Sequence, residues 1–356
     1  MKLLRNFTPA QLGGYLEALA PLLLTLLIFV MYDMLIDALV LCGSTLAAGC
    51  QAINITQLLK DNNLCCFNTA GAVKATVIQG RFLWLFTVGL NILACVGTIV
   101  IGVYIVWNVI AGRSRRYQQA FAGSMILLTL LAFVLFLSRE PNINSLVRCS
   151  ADYTNNRLVN QFLACTATIE LPSVIAVSNW IIALSYTAAF LLVLLSCAIL
   201  WPVEKERQTS EAEISKRTKL LRLLLYTGMV QLVTSTLRLS TTFHWSTSFL
   251  PLDDKNPASG PLIKAVVGLA TTLTYIEAAT YTLILVAVYL PAILILRSRA
   301  CKLITSDEFQ AEPAREKWLQ ERGLALSISV YIPRLVALLA PLLAGPMSDM
   351  VMRFIQ

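Results

Sequence analysis

Long runs of apolar residues dominate the chain, and short polar or charged segments separate them. About 20 consecutive apolar residues are needed for a helix to cross the hydrocarbon core of a bilayer. The pattern therefore predicts six transmembrane helices. They lie at about 18–41, 82–110, 119–138, 174–201, 220–240 and 266–296.

A seventh apolar run, at about 324–346, is less regular because it contains Arg334 and three prolines, Pro333, Pro341 and Pro346. It either crosses the membrane or lies in the interface as an amphipathic helix. The first run is too long for the apolar region of a signal peptide, and no small-residue cleavage site follows it directly. We therefore expect the first run to remain in the mature protein as a span.

Composition supports a membrane protein. Hydrophobic residues make up 57% of the chain and charged residues only 13%, against about a quarter charged in a typical soluble domain. A soluble globular enzyme would expose more charge, and a disordered chain would contain fewer apolar residues. We predict an all-α fold, a polytopic membrane helix bundle of six to seven transmembrane helices, in which residues 1–356 form a single integral membrane domain with lipids as its surroundings.

The net charge of +8 fits this topology. With a cytoplasmic N-terminus, the inside segments 1–17, 111–118, 202–222 and 297–323 hold 17 Lys and Arg residues. The outside segments 42–81, 138–173 and 239–264 hold 8. Cytoplasmic loops of membrane proteins are enriched in Lys and Arg. The charge therefore predicts an orientation, with the N-terminus cytoplasmic, and no nucleic-acid partner.

Cysteines give an independent indication of topology. Six of the nine fall in the predicted outside loops: Cys42, Cys50, Cys65, Cys66, Cys149 and Cys165. An even set on one side suggests disulfides in an oxidising compartment, with Cys149–Cys165 as the simplest local pair and the other connectivity open. Alternatively, some of them are unpaired small hydrophobic residues. Asn54 begins a glycosylation sequon on the same side. These features predict a membrane of the secretory pathway, either endoplasmic reticulum or plasma membrane.

Glu277 is the sharpest candidate for chemistry, since no other charged residue lies between Ala265 and Leu296. Ionisable residues within spans are costly and are functional candidates by default. Glu277 pairs with Arg238, at the outer end of the preceding span, or it faces a cavity as a proton donor or substrate ligand. The two interpretations are compatible, and Tyr275 and Tyr281 lie near it in sequence.

Asp33 and Asp37 form a second candidate, in the outer third of the first span and next to Tyr32. They are four residues apart and share one helix face. Two carboxylates in a low dielectric raise at least one pKa, and the resulting protonated carboxyl can act as a Brønsted acid. The alternatives are a wet, structural position at the interface, or a divalent-cation site. The candidate catalytic residues are thus Glu277, Asp33 and Asp37, with Arg238 in a structural role.

Other polar groups of the spans carry weaker signals. His244 beside Trp245 is typical of an interface anchor, with a ligand role as the alternative. Tyr186, Asn179, Asn91 and Gln231 are expected to make interhelical hydrogen bonds. The chain contains no nucleotide-binding motif, no HExxH and no CxxC pair, so we predict no cofactor and no metal.

In length, span count and lack of soluble-enzyme motifs, the chain resembles the larger membrane proteins encoded in fungal indole-diterpene and other terpenoid biosynthetic clusters. That resemblance implies a role in secondary-metabolite biosynthesis, as a membrane-embedded cyclase that works beside other membrane-bound biosynthetic enzymes. The set Arg238, His244-Trp245, Asp253-Asp254 and Glu277 is also faintly similar to the pattern of fungal lipid-translocating exporters and related receptor-like seven-span proteins.

Three functions remain open. An enzyme would use a buried acid to protonate an alkene or epoxide of a lipophilic prenylated substrate, and aromatic rings to stabilise the carbocation. A transporter or receptor for a hydrophobic small molecule would use the same polar groups as ligands. A non-catalytic scaffold would organise other membrane enzymes. The absence of a DDxxD motif disfavours ionisation of a diphosphate.

Overall fold

The structure of the protein is a computed structural model, which describes nine segments of the chain. These are residues 16–32, 34–35, 70–111, 115–138, 171–201, 211–247, 260–303, 318–320 and 328–355. The described residues form helices joined by turns and contain no strand. The all-α prediction is therefore confirmed for the part of the chain that the structure describes.

Seven helices organise the described residues. They are α1 (Leu16–Tyr32), α2 (Ala70–Ile110), α3 (Arg115–Ser138), α4 (Leu171–Leu200), α5 (Glu211–Thr247), α6 (Gly260–Leu303) and α7 (Ile328–Ile355). Five of them, α2 to α6, contain segments long and apolar enough to cross a membrane. The apolar parts of the other two are shorter in the described residues, Leu16–Tyr32 in α1 and Pro333–Met347 in α7. The chain is an α-helical membrane bundle.

Contacts at one end of the bundle bring the ends of several helices together. Lys216 of α5 donates a hydrogen bond to the carbonyl of Asn108 in α2, at 2.7 Å. Arg299 of α6 donates to the carbonyl of Leu200 in α4 at 2.8 Å, and its other guanidinium nitrogen lies 3.8 Å from Glu17 of α1. We call this the basic end, defined by Glu17, Asn108, Leu200, Lys216 and Arg299. Gln118, near the start of α3, also donates to the carbonyl of Ile110 at the end of α2, so consecutive helices from α1 to α6 run in alternating directions.

Helix α7 continues this alternation. Arg334, near its start, lies close enough to Arg222 of α5 for an electrostatic interaction. Gly345, three turns further along, packs against the ring of Tyr275 in α6. The helix contains all three prolines of the seventh apolar run. Prolines are tolerated in helices of membrane proteins because neighbouring groups satisfy the backbone positions they free.

The core lies between α4, α5 and α6. Small residues lie where these helices approach one another most closely. A Cβ atom on Gly228 of α5 would lie 2.8 Å from Leu285 of α6 and 3.2 Å from Leu192 of α4. Glycine therefore lets three helices meet at this level, as small residues do in membrane bundles. Ser196 of α4 also donates to the carbonyl of Val288, one turn before Pro291, at 3.0 Å.

The outer faces of the bundle are apolar, as contact with lipid requires. Helix α3 is the least buried of the five long apolar helices, and α4 is the most buried. Exposed large side chains are concentrated on α1, α2 and α3, for example Leu27, Phe86 and Leu127, each of which is more than half exposed. A soluble protein would not expose apolar surface on this scale.

The carboxyl end of α4 is closed by two arginines. One nitrogen of Arg217 donates to the carbonyls of both Ile199 and Trp201 at 2.9 Å, and its Nε donates to Glu213. Arg299 bonds the carbonyl of Leu200, between these two. Cations near a helix carboxyl end satisfy its free carbonyls and interact favourably with the helix dipole. The structure begins α5 at Glu211, within the predicted inside segment 202–222, and buries Arg217.

The cysteines of the described helices are free thiols: Cys95, Cys197 and Cys301. Cys95 and Cys197 lie in α2 and α4, where the sequence placed them within spans. The predicted disulfide residues Cys149 and Cys165 and the predicted glycosylation site Asn54 lie outside the described residues.

Candidate functional site: a buried acid among aromatic rings

Glu277 is almost fully buried in the bundle, with 3% of its surface exposed. The hydroxyl of Tyr32 in α1 donates a hydrogen bond to its Oε2. The hydroxyl of Tyr186 in α4 donates to its Oε1 at 3.2 Å. Tyr281, one turn further along α6, lies close enough to Glu277 for an electrostatic interaction. Helices α1 and α4 therefore each donate a phenol hydrogen bond to one carboxyl group of α6.

Further aromatic rings extend this site towards α3. Phe136 of α3 lies against Tyr186 with ring centroids 5.6 Å apart, and against Phe29 of α1 at 6.5 Å. Phe29 lies three residues before Tyr32, so both side chains lie on one face of α1. We call Phe29, Tyr32, Phe136, Tyr186 and Tyr281 the aromatic cluster. Rings at these separations are in the range of favourable aromatic contacts, and their faces attract positive charge.

Tyr275, which the sequence placed near Glu277, belongs to a different surface. Its side chain is 38% exposed, and its ring lies against Gly345 of α7. The difference follows from helix geometry, because residues two apart point to well-separated faces whereas residues four apart share one. Of the two tyrosines near Glu277 in sequence, Tyr281 joins the site.

Arg238 lies beside this cluster and is also only 3% exposed. It is close enough to interact electrostatically with Tyr186 and Tyr281. The ion pairs of the described residues, taken to 4.0 Å, do not include one between Arg238 and Glu277. The direct pair considered from the sequence is therefore not formed, because tyrosines occupy the carboxylate.

A polar layer joins α2, α4 and α5 next to Arg238. Asn91 of α2 donates to Ser185 of α4 at 2.6 Å and accepts from Ser235 of α5 at 3.0 Å. Gln231 bonds weakly to Ser235 and to the carbonyl of Ser185, at 3.4 and 3.5 Å. The interhelical hydrogen bonds predicted for Asn91 and Gln231 are confirmed. Cys95, one turn beyond Asn91, lies near Gln231 and Ser185.

A second polar contact lies nearer the opposite end of the bundle from the basic end. The hydroxyls of Thr87 in α2 and Thr241 in α5 are 2.7 Å apart, and the indole of Trp84 donates to Thr242 at 3.2 Å. His244 is 9% exposed, with its Nδ1 2.9 Å from the carbonyl of Ser240 one turn back. This contact with the backbone of its own helix agrees with the role of interface anchor expected for His244.

The structure brings only part of the predicted site together. Glu277 and Arg238 lie in the same region of the bundle, whereas Asp33 and Asp37 lie outside the described residues. Tyr32, noted in the sequence only as a neighbour of Asp33, proves to be a partner of Glu277. Tyr186 was expected to form an interhelical hydrogen bond, and it does so with Glu277.

Among the described residues, no group of three His, Cys, Asp or Glu side chains is placed to hold a metal ion. Comparison of the chain with models of protein families, with curated proteins and with solved structures finds no match. The chemistry of this site must therefore be argued from its own geometry.

Proposed function

We propose that the protein acts on a lipophilic small molecule inside the bilayer, as a membrane-embedded acid-type cyclase of terpenoid biosynthesis with Glu277 as the acid. The observation that carries this proposal is a buried carboxyl group in contact with a cluster of aromatic rings. A carboxylic acid can supply a proton, and aromatic faces can stabilise the cation that results. The resemblance to membrane proteins of fungal terpenoid clusters supports the same class of substrate.

The chemistry needs no co-reactant. The neutral Glu277 gives its proton to an alkene carbon of the substrate, where a C–H bond forms and the adjacent carbon becomes a carbocation. A second alkene of the substrate attacks this cation, which closes a ring and moves the charge. Loss of a proton to the Glu277 carboxylate then restores the acid. The product is an isomer of the substrate.

The tyrosines suit both states of this cycle. A phenol can donate to a carboxylate and can also accept from a carboxylic acid. Tyr32 and Tyr186 contact different oxygens of Glu277 and so fix the orientation of the carboxyl group. A fixed acid meets its substrate in one geometry, which is a main contribution that a protein makes to proton transfer.

The direct test compares lipid-soluble metabolites of cells that normally make the protein. The chromosomal gene is replaced by wild type, Glu277→Gln or the matched control Glu17→Gln, whose carboxyl is 53% exposed at the basic end. We expect Glu277→Gln to lower product at least a hundredfold, the scale of general acid catalysis. A precursor of the same mass should then accumulate. Unchanged product from correctly folded Glu277→Gln would remove Glu277 as the acid.

A transporter or receptor for a hydrophobic small molecule is the second candidate, and Arg238 favours it. A buried arginine close to the acid gives the bundle charged groups of both signs, which suit a ligand with polar ends. The two functions differ in what gene loss does to a metabolite. Normal synthesis with failed efflux would favour transport, whereas loss of the cyclised isomer would favour the enzyme.

We further propose that the protein resides in the endoplasmic reticulum or plasma membrane with its N-terminus in the cytoplasm. Support comes from the basic end, where Lys216, Arg217 and Arg299 lie together with the start of α1. Positive charge favours the cytoplasmic side of a membrane. In this orientation the start of α1 and the end of α6, both at the basic end, face the cytosol. Other biosynthetic enzymes on the cytosolic side of the membrane would meet the protein there.

A further inference from the structure

Arg238 presents a buried hydrogen-bond donor that no other described residue accepts. Its side chain is 3% exposed, and its Nε is buried without a hydrogen-bond partner. Guanidinium groups stay charged under all physiological conditions and carry five N–H donors. A charge placed in a low-dielectric interior without a contacting partner is costly, so such arginines normally meet an anion.

Among the residues that the structure describes, the neighbouring side chains do not supply that anion. Glu277, the acidic residue of this region of α6, accepts from Tyr32 and Tyr186 and forms no ion pair with Arg238 within 4.0 Å. The other described groups that interact electrostatically with the guanidinium are the phenols of Tyr186 and Tyr281 and the thiol of Cys95, none of which is a carboxylate.

Gln231 provides a second unused group on the same face of α5. It lies seven residues, or two turns, before Arg238, and it is fully buried. Its Nε2 is taken by Ser235 and the Ser185 carbonyl, whereas its Oε1 is buried without a hydrogen-bond partner. A buried acceptor without a partner costs free energy, which a donor on a ligand would recover.

We propose that Arg238 and Gln231 form a binding subsite for the anionic head of a lipophilic ligand. Arg238 donates to a carboxylate or similar anionic oxygen, and Gln231 accepts from a hydroxyl on the same molecule. Arg238 lies close enough to Tyr186 and Tyr281 to interact with them electrostatically, so the apolar body of this ligand extends over the aromatic cluster towards Glu277. The inference rests on the proposed function in one respect, which is that this ligand is the substrate. That substrate would be an apolar chain with an acidic oxygen at one end.

The test measures binding rather than turnover. Full-length protein in detergent is titrated with oleate, oleyl alcohol and dioleoyl phosphatidic acid, and the unfolding temperature is followed by tryptophan fluorescence. The variants are Arg238→Gln, Arg238→Lys and the control Arg115→Gln, an exposed arginine at the start of α3. We expect oleate to bind saturably to wild type and Arg115→Gln. Binding to Arg238→Gln should be at least tenfold weaker, and oleyl alcohol should have no effect.

Arg238→Lys keeps the charge but loses the two-pronged donor geometry, so its affinity should fall between wild type and Arg238→Gln. If Arg238→Gln does not fold, a photoreactive oleate analogue is crosslinked to wild type instead. Labelled peptides from 84–95 and 231–242 would support the subsite. Labelling confined to α3, which faces lipid, would overturn it.

Equal oleate affinity of wild type and folded Arg238→Gln would overturn the proposal, as would equal binding of oleate and oleyl alcohol. A shift with phosphatidic acid that needs Arg238 and is absent with oleate would overturn the assignment to substrate and make the ligand a membrane phospholipid. The two proposals fail separately. Loss of product in Glu277→Gln without oleate binding to wild type removes only this inference, whereas oleate binding with normal product in Glu277→Gln removes only the enzyme.

Discussion

Tyr32 of α1 donates a hydrogen bond to Glu277 of α6, across 245 positions of the chain. The contact joins the first apolar run to the sixth and leaves the carboxylate with a second donor, Tyr186, from α4. Three helices that are distant in sequence thus meet at one acidic group. Interactions of this kind stabilise a membrane bundle and also determine where its reactive group points.

Removal of the Tyr32 hydroxyl should therefore cost stability. We expect Tyr32→Phe to lower the free energy of unfolding by about 1 kcal/mol, because it removes a buried interhelical hydrogen bond. Reversible unfolding in mixed micelles measures the change. Tyr104→Phe, at a side chain 54% exposed on α2, is the matched control and should be neutral.

A double-mutant cycle then checks the partner. In a Glu277→Gln background the cost of Tyr32→Phe should shrink by at least about 0.5 kcal/mol, because contacting residues are not additive. Full additivity would show that the hydroxyl acts on stability independently of Glu277.

Gly228 should resist enlargement. A Cβ atom there would lie 2.8 Å from Leu285 and 3.2 Å from Leu192 in the core, so Gly228→Ala should destabilise the bundle by about 1–3 kcal/mol. A Cβ atom on Gly97, in α2, would meet no heavy atom within 4 Å. Gly97→Ala should thus be neutral or stabilising by up to about 1 kcal/mol, because alanine is the better helix former. Similar losses in the two variants would contradict the close packing at Gly228.

Arg217 should matter more than a solvent-exposed basic residue. Arg217→Gln removes the donors to the carbonyls of Ile199 and Trp201, and we expect a loss of about 2 kcal/mol from the charged hydrogen bonds and the helix dipole. Lys219→Gln, at an exposed position of the same helix, should change stability by less than about 0.5 kcal/mol. Thermal unfolding in detergent compares the two, and equal effects would argue against the cap.

The orientation is tested at Cys301. Its thiol is free and partly exposed near the carboxyl end of α6, whereas Cys95 and Cys197 are buried. In sealed microsomes, a membrane-impermeant maleimide should label Cys301 without detergent, because the basic end is proposed to face the cytosol. Cys301→Ser should abolish that labelling. Labelling of Cys301 that appears only after detergent is added would reverse the orientation.

Hydropathy was sufficient to locate the helices. Each predicted span overlaps a described helix, because the length of an apolar run is fixed by the thickness of the bilayer. Hydropathy was less informative about helix ends and count. Residues 211–219, before the predicted fifth span, form the first turns of α5, and only five described helices are long enough to cross by length and composition.

The site was only partly predictable for a physical reason. Glu277 and Arg238 stood out because charge is rare in the spans, which is a property of single residues. Their partners depend on which helix faces pack together. Nothing in the sequence indicates that Tyr32 and Tyr186 would reach Glu277, or that Tyr275 would turn towards Gly345. The packing of different helices, and not the spacing of residues along one helix, determines that the carboxyl group of Glu277 binds tyrosines and forms no ion pair with Arg238.

Phe136 belongs to α3, the most lipid-exposed of the long apolar helices, yet its ring touches Tyr186 beside Glu277. Under the proposed function, a substrate that passes Phe136 to reach the acid would come from the acyl chains and not from water. It would be supplied by lateral diffusion within the bilayer. The rate of its conversion would then depend on the mole fraction of substrate in the bilayer. Adding inert lipid should therefore slow the reaction even when the aqueous volume is constant.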